Sequence, residues 1–490
     1  MSSRADRFAP LAAVFAAFAL WFFSLPPGIE WWDTAEAQTV PYMLGIFHPT
    51  GFPAYTLAGW LFSHAFAIGN VAWRMSVFTA LWGAIACGLL VRAARTLGVA
   101  WPIAVAAALA LATTRTLWLH ASRAGVETMV LACIALAIVS TLEQRPALAA
   151  GSAAVALATH TVAIWYLPGL AILWIFALRA VPHRTRSLIT SIAAFAGGCA
   201  LYAYLPIRSA IVNATHVDPS ATLPLAYHPW WNYDNPSTAS GFWRLVSGAD
   251  FSATDALAAA FDPANFGADA VRFWEIAAAN YDIVPALAAV AGALMLARTR
   301  PIVAAGLTVC LIGPIPFSVG YGMLDDASKY YLPAVWILAL LLALAAQYSA
   351  RMRGGVAIVT AALVAIAAVG LHKNVDLFAQ RRQHLGEAFI ATTIASVPDG
   401  AIVCAPWYYA TPLAYAAFIE HRLGTRIPCT NVDNDDGLAR LAARRDDVYD
   451  IPIEGTDIVK PGVRLVPVAG SDPAVFHVIA APWRLERRLP

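Results

Sequence analysis

The chain has 490 residues, of which 60% are hydrophobic and only 13% charged, with a mean hydropathy of +0.63; that composition excludes an ordinary soluble domain and defines a polytopic membrane protein. A net charge of +2 at pH 7, with basic residues in separated clusters, excludes a nucleic-acid-binding face. The excess of arginine over lysine and the abundance of alanine are compatible with a GC-rich bacterial genome.

A membrane-spanning helix needs ~20 mostly apolar residues. In chain order, apolar runs near 9–25, 73–91, 99–114, 125–141, 146–161, 163–178, 187–206, 281–297, 302–320, 331–349 and 355–371 predict an all-α transmembrane bundle of roughly eleven spans over residues 1–371. The first run follows Arg4 and Arg7 as a signal peptide would, but Pro26-Pro27-Gly28 and the lack of a small-residue cleavage site predict a retained anchor. The runs at 146–161 and 163–178 are short and close-set, which allows a broken or re-entrant pair as well as two crossings. Arginine collects at alternate junctions: Arg4 and Arg7, Arg92 and Arg95, Arg145, Arg179, Arg184 and Arg186, Arg298 and Arg300, Arg351 and Arg353. The positive-inside rule assigns that side to the cytoplasm, so residues 26–72, 207–280 and the tail from 372 are expected on the outer side of the cytoplasmic (inner) membrane. The tail, 372–490, alternates strand-like AIVCAPW (401–407) and VFHVIAAPW (475–483) with helical TPLAYAAFIEHRLG (411–424), which predicts a small α/β domain. Cys87, Cys133, Cys199 and Cys310 lie in apolar runs as small hydrophobes, and no cysteine spacing suggests zinc. Cys404 and Cys429, in the tail, fit either a disulfide in an oxidising compartment or two free thiols.

The first outer loop carries the densest chemistry. WWDTAEAQTV (31–40) places Asp33 and Glu36 at i and i+3, so one helical turn points both carboxylates the same way. Such a pair serves as a base or holds a divalent cation, Mg or Mn; equally, DTAE reads as a capping box at a helix start. FHPTGFPAY follows, in which Pro49, Gly51 and Pro53 stiffen the chain and place His48 beside the acidic helix. Trp31, Trp32, Tyr42, Phe47, Phe52 and Tyr55 crowd the same stretch, as an interfacial aromatic belt would.

The ordered series DTAE, LGIFHPTGFPAYTLAG and GNVAWRMSVFTAL resembles the opening of a bacterial and eukaryotic family of membrane proteins whose animal member is a protein O-mannosyltransferase. That family looks like part of the GT-C superfamily of polytopic glycosyltransferases. The likeness continues in WLHASRAGVETMVL (118–131), in ALATHTVAIWYLPG around His160, in YLPIRS (204–209) and in DDASKYYLPA (325–334), and so covers about residues 10–350. One departure is Gly125-Val126-Glu127, where the family tends to have an A-E-V-Y run. The resemblance implies a GT-C fold and transfer of a sugar from a polyprenyl-phosphate donor to a protein, glycan or lipid acceptor at the outer face. It matches Asp33 to the acidic residue of the first outer loop that is central to transfer, with Glu36 holding a metal or orienting Asp33; metal dependence stays open. Physics points the same way, since an acceptor hydroxyl needs a base or a polarising contact.

A lipid-phosphate leaving group calls for cationic donors near the headgroup plane. Arg208 of YLPIRS and Lys329, with Tyr330 beside it, emerge from spans on the outer side; they are phosphate contacts on the resemblance and snorkelling side chains otherwise. Arg115 and Arg123 are in reserve. Glu127, near the outer end of its span, needs a partner or a cavity and is taken as a substrate-binding residue, whereas His160 reads as a hydrogen-bonded core histidine. The stretch YHPWWNYDNPSTASGFW (227–243) suits a sugar or peptide acceptor, or a lid on the bilayer. A transporter or flippase of a lipid-linked or small polar substrate is the alternative; it predicts ionisable residues at mid-membrane, whereas here the acids cluster in outer loops.

Overall fold

The computed structural model describes residues 4–223, 225, 228–251, 262–321, 328–351, 354–430, 437–452 and 463–480. Tyr227, Asp325, Asp326, Arg353 and residues 481–483 of the stretches above lie outside the described residues.

Among the described residues, five segments are long and apolar enough to cross a membrane by length and composition: Val71–Thr96, Thr161–Ala180, Arg184–Thr215, Ser328–Ser349 and Gly355–Lys373. The number is seven when two bent pairs count as single spans, Trp101–Ala112 with Arg115–Ser122 (69°) and Pro263–Tyr281 with Ile283–Thr299 (113°). Shorter apolar helices cover Arg7–Phe22, Glu127–Leu142, Pro146–Thr159 and Pro301–Phe317. Every expected run falls on one of these segments, and the chain does break inside 146–178, at His160, which is extended between Pro146–Thr159 and the helical segment that starts at Thr161. Thr161–Ala180 is long enough to cross by itself, and of the two bent pairs the first bends at the end of the run at 99–114. The cause is local: the hydroxyls of Thr113 and Thr114 donate to the carbonyls of Leu109, Ala110 and Leu111, an alternative to continuing the helix.

Val71–Thr96 and Ser328–Ser349 run through the centre of the bundle, whereas Arg184–Thr215 and Gly355–Lys373 lie at its edge. Three buried tryptophans of the centre have their polar ends satisfied. Trp336 donates to the carbonyl of Ala86 at 2.8 Å, Trp21 to that of Ala112 at 3.0 Å, and Trp118 to the Ser24 hydroxyl at 2.9 Å, so each indole is buried without stranding its N–H.

The tail forms a mixed five-stranded sheet from β1 (Ile402–Cys404), β2 (Ile427–Cys429), β3 (Val448–Asp450), β4 (Val463–Pro467) and β5 (Phe476–Ala480), in the order β2-β1-β3-β5-β4. The β1 strand pairs in parallel with β2 and β3, while β5 runs antiparallel to β3 and β4. Register sets Cys404 opposite Cys429 with Cα atoms 4.5 Å apart, and the two are joined as a disulfide. The tail is packed on the bundle: Leu413, Ala414 and Tyr415 share one hydrophobic core with Trp21, Ile29 and Ala72, and the Tyr415 hydroxyl accepts the N–H of Ala72 at 3.1 Å.

Candidate functional site

Three short helices build the first loop and its surroundings: α1 (Arg4–Phe22) leads into it, and α2 (Trp32–Met43) and α3 (Pro53–Ala65) lie within it. The α2 helix begins two residues earlier than a DTAE capping box requires: Trp31 is its N-cap, with no side-chain cap. Asp33 therefore sits inside the first turn, where the helix dipole favours an anion, and its carboxylate is left for other partners. Gln38 locks the helix in place by accepting from the Glu30 N–H at 2.9 Å and donating to the carbonyls of Gly28 and Ala72, each at 3.3 Å.

At its other end the chain reverses through Leu44 (φ 54°) and Gly45. A Cβ at Gly45 would lie 2.0 Å from the Trp230 carbonyl oxygen, so only glycine fits. Gly51 (φ 83°) turns the loop again, wedged against Leu205 and Leu245, and Phe52 (φ 42°) follows it into Pro53. These turns return His48 to α2.

The result is a cluster of two acids and two cations. His48 Nδ1 contacts Glu36 Oε2, and the His48 backbone N–H donates to Glu36 Oε1 at 2.9 Å. His48 Nε2 lies 4.0 Å from Asp33 Oδ2, and Lys329 Nζ lies 3.4 Å from the same oxygen. The other oxygen, Asp33 Oδ1, accepts from Trp407 Nε1 at 3.2 Å. Side-chain exposure is 0% for Glu36, 10% for Lys329 and 14% for His48, but 43% for Asp33. One carboxylate is thus open to solvent in an otherwise closed group.

Burial alone would raise the Asp33 carboxyl, but the charges of His48 and Lys329 and the donors on Trp407 and Lys329 outweigh it and hold it at about 2. Burial would likewise depress His48, yet Glu36 and then Asp33 raise it to about 9. Glu36, wholly buried, is pushed upward by desolvation and drawn back by His48. With Asp33 as a second anion nearby, the shared proton rests on the ring. Asp33, Glu36 and His48 each bring one potential ligand atom within 4.8 Å of the others. Those atoms are already engaged by Lys329, by Trp407 and by one another, and two positive charges balance two negative ones. A divalent cation would have to expel Lys329 and the proton, so the arrangement does not fit one.

The remaining predicted residues divide. Tyr330 joins the cluster, with Lys329 Nζ 5.5 Å above its ring and its carbonyl accepting from Tyr166 at 2.6 Å. Arg208 does not reach Asp33: it donates to the carbonyls of Leu44 and Met43 at 2.5 and 3.2 Å, at the far end of α2, ~15 Å away at 1.5 Å per residue. There it neutralises a helix C-terminus and lies 6.0 Å from the Trp231 ring. Glu127 opens the helix Glu127–Leu142, its carboxylate folded against Gly125 and beside Tyr55. Arg115 pairs with Asp376 at 3.1 Å, and Arg123 donates to Gln380 at 2.8 Å while facing Glu30. In the long loop, Asn232, Asn235 and Asn213 bond mainly to one another and to Ser209 and Ser237, so their amides hold loop shape.

Trp407 was not legible as a site residue, because no spacing links position 407 to position 33. The one available signal is the aromatic run WYY (407–409), which packs on α2: Tyr408 stacks on Trp31 at 4.8 Å, and Trp230 stacks on Trp407 at 6.2 Å.

Comparison with known proteins gives one family match, two relatives and two similar solved structures. Residues 33–185 match the family described as protein O-mannosyl-transferase TMEM260 N-terminal domain. Over 245 residues the chain is 28% identical to protein O-mannosyl-transferase TMEM260 of Mus musculus, covering 47% of this chain but only 32% of that protein. Over 62 residues it is 34% identical to the Dictyostelium discoideum protein of the same description, covering 12% of this chain and 8% of that one. The chain therefore spans about a third of the mouse relative's length. In structure it is similar to ArnT from Cupriavidus metallidurans bound to undecaprenyl phosphate, with TM-score 0.58, 11% identity and coverage of 98% of this chain and 100% of that one. The apo form of the same enzyme matches with TM-score 0.53 and 13% identity over 96% of this chain and 99% of that one. This likeness shows the fold: a GT-C-type helical membrane bundle with a small C-terminal sheet domain.

Proposed function

We propose that the chain is a membrane glycosyltransferase that moves a sugar from a polyprenyl-phosphate-linked donor to a hydroxyl of a protein, glycan or lipid acceptor, at the outer face of a bacterial cytoplasmic membrane. Arginine at alternate junctions supports this orientation, as does a disulfide in the tail, which suits an oxidising compartment. The likenesses to an O-mannosyl-transferase and to ArnT support the reaction class. The observation that carries the reading is Asp33: an ionised carboxylate, open to solvent, pinned between Lys329 and Trp407.

In the reaction the acceptor oxygen bonds to the anomeric carbon, the bond from that carbon to phosphate oxygen breaks, and its electrons leave with the lipid phosphate. The hydroxyl proton passes to Asp33. A carboxylate held at about 2 is a weak base, but it shares one of its two cations. A phosphodiester arriving at Lys329 draws the ammonium toward itself, so Asp33 becomes more basic when the donor is in place. As the bond breaks the phosphate gains a full negative charge, and Lys329 stabilises that change more than it stabilised the bound donor. Glu36 and His48 move no proton in this scheme; they hold a positive charge beside Asp33 and fix the loop.

The test is incubation of the purified protein in lipid with labelled polyprenyl-phosphate sugars and acceptor. Transfer is expected from the wild type and not from Asp33→Asn. Undiminished transfer by that variant removes Asp33 from the chemistry, and movement of the lipid-linked sugar across the bilayer without transfer establishes the transporter alternative instead.

A further inference from the structure

His160, unused in the mechanism above, stands between the helix Pro146–Thr159 and the segment Thr161–Ala180 in extended backbone, φ −161° and ψ 133°. Its Nδ1 accepts the N–H of Val162 at 3.0 Å. An accepting Nδ1 carries no proton, so the ring is neutral with its proton on Nε2. The ring is also held in position. Phe52 lies nearly parallel to it at 4.9 Å, Tyr330 meets it edge-on at 5.5 Å, and the next residue, Thr161, donates through N–H and hydroxyl to the Thr50 hydroxyl of the His48 loop.

Those neighbours bridge to the acidic cluster. Phe52 contacts the His48 ring at 5.1 Å, and Lys329 Nζ sits 5.5 Å from the centre of the Tyr330 ring. His160 is thus one ring away from each cation of the cluster and within range of the charges on Lys329, His48 and Asp33. Among the described residues its Nε2–H has no hydrogen-bond partner; unlike His120 Nε2, it is not sealed from solvent. A fixed, unspent N–H donor one aromatic ring from an ammonium is suited to an anion, and being neutral it adds no repulsion to Lys329 and His48.

We propose that His160 Nε2–H donates a hydrogen bond to a non-bridging phosphate oxygen of the lipid-linked donor, next to Lys329. The assignment rests on the function proposed above. His160 is then a donor-binding residue whose bond strengthens as the leaving phosphate gains charge.

His160→Asn separates this role from a structural one. Asparagine is a favoured N-cap whose Oδ1 replaces Nδ1 as the acceptor for Val162, while the distal N–H is lost. In lipid nanodiscs, affinity for polyprenyl phosphate without a sugar is expected to fall about tenfold, with a similar rise in donor KM and an unchanged unfolding temperature. Unchanged polyprenyl-phosphate affinity overturns the assignment; if only the sugar-bearing donor is affected, the ring serves the sugar and the assignment is equally wrong. On the unsubstituted chain, nitrogen-15 NMR of His160 is expected to show the Nε2–H tautomer and a shift of that resonance on adding polyprenyl phosphate. The opposite tautomer or no shift overturns it too. A wild type that neither binds polyprenyl phosphate nor transfers sugar overturns the proposed function and this assignment together. A wild type that does both, beside an unimpaired His160→Asn, overturns the assignment alone.

Discussion

Asp33 differs from its neighbours in being open while they are closed, and the first prediction follows from that. Replacing it with asparagine keeps the shape and the Trp407 contact but removes the charge and the base, so transfer is expected to fall by roughly 10²- to 10⁴-fold, with donor affinity held or improved because Lys329 is released. Single-turnover rates beside equilibrium donor binding measure the two separately. The pH dependence has two limbs. His48 is raised from 6.5 to about 9 in the folded chain, so its contribution to stability is complete below 6.5 and is lost as pH rises through about 9. Asp33 is lowered from 3.8 to about 2, so its contribution is complete above 3.8 and is lost as pH falls through about 2. Thermal unfolding in detergent is expected to show the alkaline decline in the wild type and a flatter profile in His48→Gln; an identical decline in that variant would show that His48 is not its source. The acids and the histidine were legible because they lie within one loop, where a helical turn and a proline-glycine bracket decide who meets whom. Lys329 was legible only as a cation out of place, and its partner was not.

At the scale of one element, α2 shows how a propensity signal loses to packing. DTAE carries a good capping-box pattern, but the tail's aromatic helix Trp407–Phe418 stacks on Trp31 and draws Asp33 toward Trp407. The helix then starts at Trp32, whose φ of 53° is a strained conformation for a large side chain. Gln38 anchors the helix through three buried bonds, so Gln38→Ala is expected to destabilise the protein by about 1–3 kcal/mol through the groups left unsatisfied, read as a lowered unfolding temperature. Trp407→Phe keeps an aromatic ring facing Trp230 and removes the N–H to Asp33 together with part of the indole face. Its kcat is expected to drop roughly tenfold, in proportion to one charge-assisted hydrogen bond, with KM little changed; an unaltered kcat would make Trp407 a packing residue only. The bend after Ala112 has a local cause by contrast, since the hydroxyls of two threonines, at 113 and 114, bond to preceding carbonyls where the expected run at 99–114 ends.

Across the whole molecule, the site is made by bringing together three distant parts of the chain: the first loop, the start of the span Ser328–Ser349, and the tail. The tail must therefore be folded for Asp33 to be correctly placed. Its disulfide links cysteines 25 residues apart, and a loop of that size is worth about 3.5 kcal/mol in the chain-entropy model. Cys404→Ser with Cys429→Ser is accordingly expected to lower the temperature at which transfer is lost, and to do so before the bundle melts, as monitored by fluorescence of the bundle tryptophans. What the sequence determined alone was the class and the local chemistry. Apolar runs of spanning length, short basic junctions and a loop holding Asp33, Glu36 and His48 are all short-range patterns, set by hydrophobic transfer and backbone sterics that act over a few residues. Only the tertiary structure decided that Arg208 serves the far end of α2, that His160 faces the cluster, and that Trp407 reaches across from the tail. Those are outcomes of packing between segments hundreds of positions apart, where many small contacts compete and no single spacing in the chain records the winner.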